Sequence, residues 1–144
     1  MTTYDFLDGA GPVPAHQHSN GGGWVADSAQ VAASAFVGPD AKVYGNAKVC
    51  GNAVVYGNAK VYDNAEVCGT ARVYGNAWIY DNAWVYGNAW IYGNAVVCGT
   101  ARVFDGAKVY GHSTVYSNAW IYGNAKVFGN AVVSDNAKVY DTTK

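Results

Sequence analysis

The chain has 144 residues, of which 51% are apolar and 13% charged, with a formal net charge of −1. That length suits one domain, and so small a charge gives no electrostatic case for double-stranded nucleic acid or an anionic membrane surface as a partner. No apolar run is long enough for a membrane span, and the opening MTTYDFLDGAGP lacks the basic and apolar regions of a secretory signal, so a cytoplasmic protein with free thiols at its three cysteines is expected.

Residues 1–24 are predicted to form a leader and cap, with Gly9 to Gly23 wrapping over the first part of the repeat and Tyr4, Phe6 and Leu7 covering an open core. His16 and His18 place two imidazoles on one side of an extended segment, which makes them candidate metal ligands. No third ligand stands beside them, and no cofactor is expected.

From Val25 to Val139 every sixth residue is Val or Ile, twenty positions without an insertion, and the residue four places after each is Ala, from Ala29 to Ala137, except at Ser113. So strict and short a period marks a solenoid. Pairs such as Gly45-Asn46 and Asp81-Asn82 close each unit with residues that tolerate positive φ, so each hexad reads as a short strand and a corner. In a strand such as Ala89 to Tyr92 the side chains alternate between faces. All nine Lys and Arg fall at the variable position between Ala and Val/Ile, which makes that face the outer one. Ala and Val/Ile then form the core and the rings point outward. Residues 141–144 are a predicted tail.

The units VADSAQ at 25–30 and VGPDAK at 37–42 resemble the bacterial hexapeptide-repeat pattern, and the Gly-Asn-Ala units and the leader resemble small hexapeptide proteins of bacteria and phages without an assigned reaction. From Tyr44 onward the second place of each unit departs from that pattern, being Tyr, Phe, Cys or Ser. The resemblance implies an all-β fold: a single-domain left-handed parallel β-helix, a triangular solenoid of three hexads per coil and about six coils over residues 25–140. It also implies assembly, commonly as a trimer with ligand sites between subunits.

With three hexads per coil, residues eighteen apart stack at about 4.8 Å. One outward column then runs Trp24, Lys42, Lys60, Trp78, Val96, Thr114, Val132; a second Gln30, Lys48, Glu66, Trp84, Arg102, Trp120, Lys138; a third Phe36, Val54, Arg72, Trp90, Lys108, Lys126, Lys144. Trp78, Trp84 and Trp90 form a belt around one coil and, with Trp120, are the expected homo-oligomer interface. Arg102 is placed for cation–π contact with Trp84 and Trp120, and Lys48 lies beside Glu66. The corner residue is Tyr at eleven of seventeen positions from 44 to 140, so ring ladders are expected there.

Arg72, Trp90, Lys108 and Lys126 are candidate ligands for a small anion such as a nucleotide or sugar phosphate, a ring to stack on beside cations for phosphate. Acyltransferases of the resembled fold use a His near a subunit boundary, which makes His112 the one catalytic candidate, but the unbroken hexads leave no inserted loop to wall an acyl-CoA site. A carbonic anhydrase of this fold needs three imidazoles around zinc, and two of the three His lie in the leader. Cys50 and Cys68 stack in one column at a spacing read as too wide for a disulfide, and Cys98 lies in another. The expectation is a non-catalytic, oligomeric binding or scaffolding protein; the alternative is an acyl-CoA-dependent acyltransferase using His112.

Overall fold

The computed structural model describes residues 2–140; Met1, the tail 141–144 and the place of Lys144 in the third column lie outside it. Three strands open the chain: β1 (Thr3–Asp5), β2 (Pro12–Gln17) and β3 (Trp24–Ala26), the last being the first rung of the repeat. Every later hexad contributes one two-residue rung, from Gln30–Val31 to Lys138–Val139, and successive rungs fall on three parallel sheets in turn. Face 1 carries β3 and the rungs from Lys42–Val43 to Val132–Val133, face 2 those from Gln30–Val31 to Lys138–Val139, and face 3 those from Phe36–Val37 to Lys126–Val127. The register is eighteen residues throughout, as in Trp78↔Val96, Trp84↔Arg102 and Trp90↔Lys108. The result is a β-solenoid of about six coils, its three outward columns those derived above.

Inside and outside also fall as derived. Val43, Ala47, Ile79, Ala89 and Ile91 are fully buried, as are nearly all residues of their columns. Each buried Val or Ile contributes about 1.5–3 kcal/mol relative to exposure, and Ala between them lets the three sheets close around so narrow a core. Ser113, in the Ala column, is also fully buried, and its hydroxyl donates to the Tyr110 carbonyl at 2.8 Å, so the polar atom is satisfied where it sits. Between coils each rung donates its N–H groups forward, as from Lys42 to the Ala59 carbonyl (3.1 Å) and from Tyr44 to that of Val61 (3.0 Å).

The corners explain the Gly/Asp-Asn pairs. Gly45, Gly57 and Gly93 have φ of 65°, 63° and 67°, and Asp63 and Asp81 take the same conformation at 57° and 58°. A Cβ at Gly93 would lie 2.9 Å from the Gly111 nitrogen one coil on. Where Asp stands instead, its carboxylate accepts from that next-coil nitrogen, as Asp81 does from Gly99 N at 3.1 Å and Asp105 from Gly123 N at 3.1 Å. The hydrogen bond offsets the crowding.

The cap differs from the expectation. β1 and β2 pair antiparallel, and β2 pairs antiparallel with β3, so the leader extends face 1 as two further strands. Tyr4 stacks on Trp24 at 4.7 Å and Phe6 on Tyr44 at 4.7 Å, on the outer side of that sheet and not over the core, while Leu7 is 83% exposed. Ring-on-ring stacking with the outward aromatics wins over plugging a core already filled by Ala and Val. The open end above face 3 is closed by residues 18–23: Gly23 N donates to the Val37 carbonyl (2.9 Å), and the His18 ring and the Asn20 amide both reach the Ala35 carbonyl.

Candidate binding surfaces

The corner residues form three ring ladders. One runs Tyr44, Tyr62, Tyr80; another Tyr56, Tyr74, Tyr92, Tyr110, Phe128; the third Tyr86, Phe104, Tyr122, Tyr140. Centroids in the second ladder's tyrosines lie 4.8–4.9 Å apart with interplanar angles of 1–7°. Ring faces therefore cover one another, and what reaches solvent is ring edges and hydroxyls, so these corners stabilise neighbouring coils but offer no platform for a planar ligand.

Burial within the first ladder holds the phenols in their neutral form. The Tyr62 hydroxyl is pushed up to about 12, first by burial and then by the Asp63 and Asp81 carboxylates, and Tyr44 is shifted the same way. Tyr80 rises too, chiefly because its hydroxyl donates to the Cys98 sulfur and then by burial. A folded value above the ordinary ~10 means that the folded state keeps the proton longer than the unfolded chain. Stability from these groups is thus intact below pH ~10 and lost as pH rises towards ~12. Melting followed by circular dichroism is expected to be level up to pH ~10 and to fall above it, with Tyr62→Phe softening the fall; a melting temperature unchanged to pH ~12 contradicts the assignment.

The indoles are arranged differently. The three belt residues Trp78, Trp84 and Trp90 lie in one coil but on three different faces, so no single flat neighbour covers all of them. Trp78 and Trp84 are 43% and 40% exposed, Trp90 and Trp120 less so. On face 2 the Arg102 guanidinium carbon lies 4.7 Å from the Trp84 ring centre and 5.6 Å from that of Trp120, and Lys138 Nζ lies 5.1 Å from the latter. Trp84 and Trp120 are each turned 74° from the corner rings Tyr86 and Phe104, out of the plane of the ladder. A depression of about 350 Å³ opens beside Trp84, lined also by Glu66, Cys68, Val85 and Tyr86. Lys48 Nζ approaches Glu66 to 3.9 Å, a long exposed pair of little energetic consequence. Sequence reasoning placed Glu66 only as the partner of Lys48; its place beside an aromatic depression follows from the Tyr ladder beginning at Tyr86, where the two preceding corners of that column are Cys50 and Cys68.

On face 3 Arg72, Trp90, Lys108 and Lys126 do stand in consecutive register. Arg72 and Lys108 lie 5.5 and 4.8 Å from the Trp90 ring centre, so the indole is already engaged by cations from both neighbouring coils. That leaves the column fit for phosphate oxygens and takes away the free ring face that a nucleobase would need.

The remaining candidates separate. His16 Nδ1 meets the Asp27 carboxylate at 2.7 Å on the exposed flank of the first coil, whereas His18 is buried with Nε2 on the Ala35 carbonyl at 2.8 Å, the hydrogen bond that a preceding coil would otherwise supply. The two imidazoles thus have separate partners, and among the described residues no three His, Cys, Asp or Glu gather as a metal set. His112 Nδ1 lies 3.4 Å from the Asn94 amide, and among the described residues no side-chain carboxylate bonds it. Cys50 and Cys68 are joined by a disulfide, which corrects the expectation of free thiols there: their Cα atoms are 4.6 Å apart, within the range that bridged cysteines span, because facing corner positions converge where the ladder of strands was taken to keep them apart. Cys98 is free. With two of three thiols paired, cysteine usage no longer argues for a reducing compartment. No helix among the described residues is long and apolar enough to cross a membrane.

Parallel rungs, an Ala/Val/Ile core and corner ladders together define a β-solenoid repeat protein. The YdcK beta solenoid repeat model matches residues 71–87, 77–93, 83–99 and 119–135, about a third of the chain. The first three matches step by six residues, the rung period, and the matched segments contain all four mid-repeat indoles. No curated protein and no solved structure matches the chain.

Proposed function

We propose that the protein is a non-catalytic scaffold of the hexapeptide-repeat kind that associates with copies of itself through face 1. One observation carries this: Trp78, Val96, Thr114 and Val132 stand in register over four successive coils without a charge, whereas elsewhere on the outward columns no more than two successive rungs lack one. Trp78 and Val132 are 43% and 62% exposed, so a second copy would remove substantial apolar surface from water. The resemblance to hexapeptide β-helices favours a closed trimer, each copy offering the same face. This narrows the expected interface to the Trp78 column: Lys60 lies 5.5 Å from the Trp78 ring centre on one side, but the next rung holds Val96, whereas the rungs after Trp84, Trp90 and Trp120 bring Arg102, Lys108 and Lys138 against their rings. The absence of catalysis is supported by His112, whose side-chain partner is an amide, and by rungs that continue through its coil without an inserted loop.

Val96→Lys tests the interface without threatening the fold, because the same column already carries Lys42 and Lys60 on the same kind of rung. Light scattering is expected to show a lower assembly mass with the melting temperature nearly unchanged. An unchanged mass would remove face 1 as the interface.

A further inference from the structure

The leader closes two of the three faces at the first coil and leaves the third open. On face 1, β2 pairs with β3; on face 3, Val37 N donates to the Asn20 carbonyl at 3.0 Å and Gly23 N to the Val37 carbonyl at 2.9 Å. Face 2 begins at Gln30–Val31 with no strand before it. Gln30 N and Ala32 N donate forward to the Ala47 and Val49 carbonyls, so the N–H of Val31, between them, points back to the open edge. Among the described residues that N–H and the Ala29 and Val31 carbonyls have no hydrogen-bond partner. The core is open at the same place: Val25 and Val37 are fully buried, whereas Val31, their counterpart on face 2, is only partly so. A depression of about 450 Å³ lies over this edge, with His16 on one side and Gln30, Val31, Lys48 and Cys50 along it. We propose that this slot on face 2 takes an extended peptide segment of a partner protein, added as one strand on Gln30–Val31, with an aliphatic side chain over Val31 and basic side chains facing outward.

What the edge lacks is backbone partners, and the segments that close faces 1 and 3 supply them from their own main chain, so the matching occupant is another main chain in extended form. The edge is also undefended. At the other end of the solenoid the last described rungs of faces 3 and 2 carry Lys126 and Lys138, charges of the kind that blunt an exposed edge, but Ala29 to Ala32 holds no charge and no Pro. Charge selects the outward residues: the first forty-one residues carry Asp5, Asp8, Asp27 and Asp40 and no Lys or Arg, and Asp27 stands at the corner that leads into Gln30. Lys48 lies one rung further on, behind Gln30, and approaches Glu66 to 3.9 Å. A second copy stacked end to end does not fit. With its Lys138–Val139 on Gln30–Val31, its Val132–Val133 would fall on Trp24–Val25, where β2 already lies. The slot is off face 1, so this inference does not rest on the assembly reading.

The test titrates the isotope-labelled, otherwise unmodified chain with a heptapeptide of alternating lysine and valine, blocked at both ends, and follows the Val31 amide by nuclear magnetic resonance. In the chain alone that amide is expected to exchange freely, unlike the Val37 amide bonded to Asn20. The peptide is expected to shift the signals of residues 29–32 saturably and to slow exchange at Val31 by about tenfold or more. Two further peptides carry N-methyl groups on alternate residues, one on the valines and one on the lysines. Only one of these sets of N–H groups faces the edge in an added strand, so one methylated peptide is expected to bind and the other to lose binding. Glutamate in place of lysine is expected to weaken binding by about fivefold or more. A Val31 amide as protected as that of Val37 in the chain alone would show the slot already filled and would overturn the proposal. So would the absence of any shift at about 1 mM peptide, equal binding of the two methylated peptides, or tighter binding of the glutamate peptide. Each comparison uses the parent chain, so none depends on whether a substituted chain folds.

Discussion

Ala89→Leu is expected to disrupt the coil that carries the three belt indoles. Ala89 is fully buried, and its column neighbours Ala71 and Ala107 are fully buried as well, so three added carbons have no void to enter. Overpacking a filled core costs about 1–3 kcal/mol where neighbours can shift, and here the inter-coil hydrogen bonds, such as Trp90 N to the Ala107 carbonyl at 3.0 Å, hold the rungs in place. A loss at the upper end of that range, or failure to fold, is expected by thermal and urea unfolding. Unchanged stability of the Ala89→Leu variant would mean that the Ala column does not face inward.

The corner at Gly93 provides the second large effect. Gly93→Val puts a β-branched side chain at φ 67° with its Cβ 2.9 Å from a backbone nitrogen, and the atom it meets cannot swing aside. The left-handed conformation alone costs about 1–2 kcal/mol, before the displacement of the next coil is added. Gly93→Asp is the matched control: Asp81 and Asp105 already occupy equivalent corners, with carboxylates accepting from the following coil. Unfolding midpoints should show Val strongly destabilised and Asp close to the parent, and equal losses for both would remove the carboxylate's compensating role.

These two sites show what was legible in the sequence. Ala every sixth residue and the confinement of Lys and Arg to one position settle which side chains face inward, because burying an unpaired charge costs more than any packing gain available to it. Three rungs to a coil and the hand of the winding are not contained in a six-residue period; they came from the resemblance, and the three sheets carry the first of them. With the eighteen-residue step in place, the Trp84–Arg102–Trp120 stack and the tyrosine ladders follow from arithmetic.

Other features were out of reach because they depend on distances the repeat does not encode. Tyr4, Phe6 and Leu7 are apolar enough to suggest a plug, yet nothing in their spacing says that β1 and β2 extend face 1 and stack rings on Trp24 and Tyr44. The His16–Asp27 contact joins the leader to the first corner across eleven residues, and the Cys50–Cys68 bond turns on how closely two corner positions approach. The depression by Glu66 arises where aromatic corners give way to cysteines, a break visible in the column but interpretable only once the corner rings are known to stack along it.

Self-association through the uncharged stretch of face 1 is the central claim, and sedimentation equilibrium of the unmodified chain tests it most directly. The expected result is a whole multiple of the chain mass that persists on dilution through the micromolar range, three being the multiple the hexapeptide resemblance favours. A single-chain mass at every concentration, with Trp78 left in water, would contradict it.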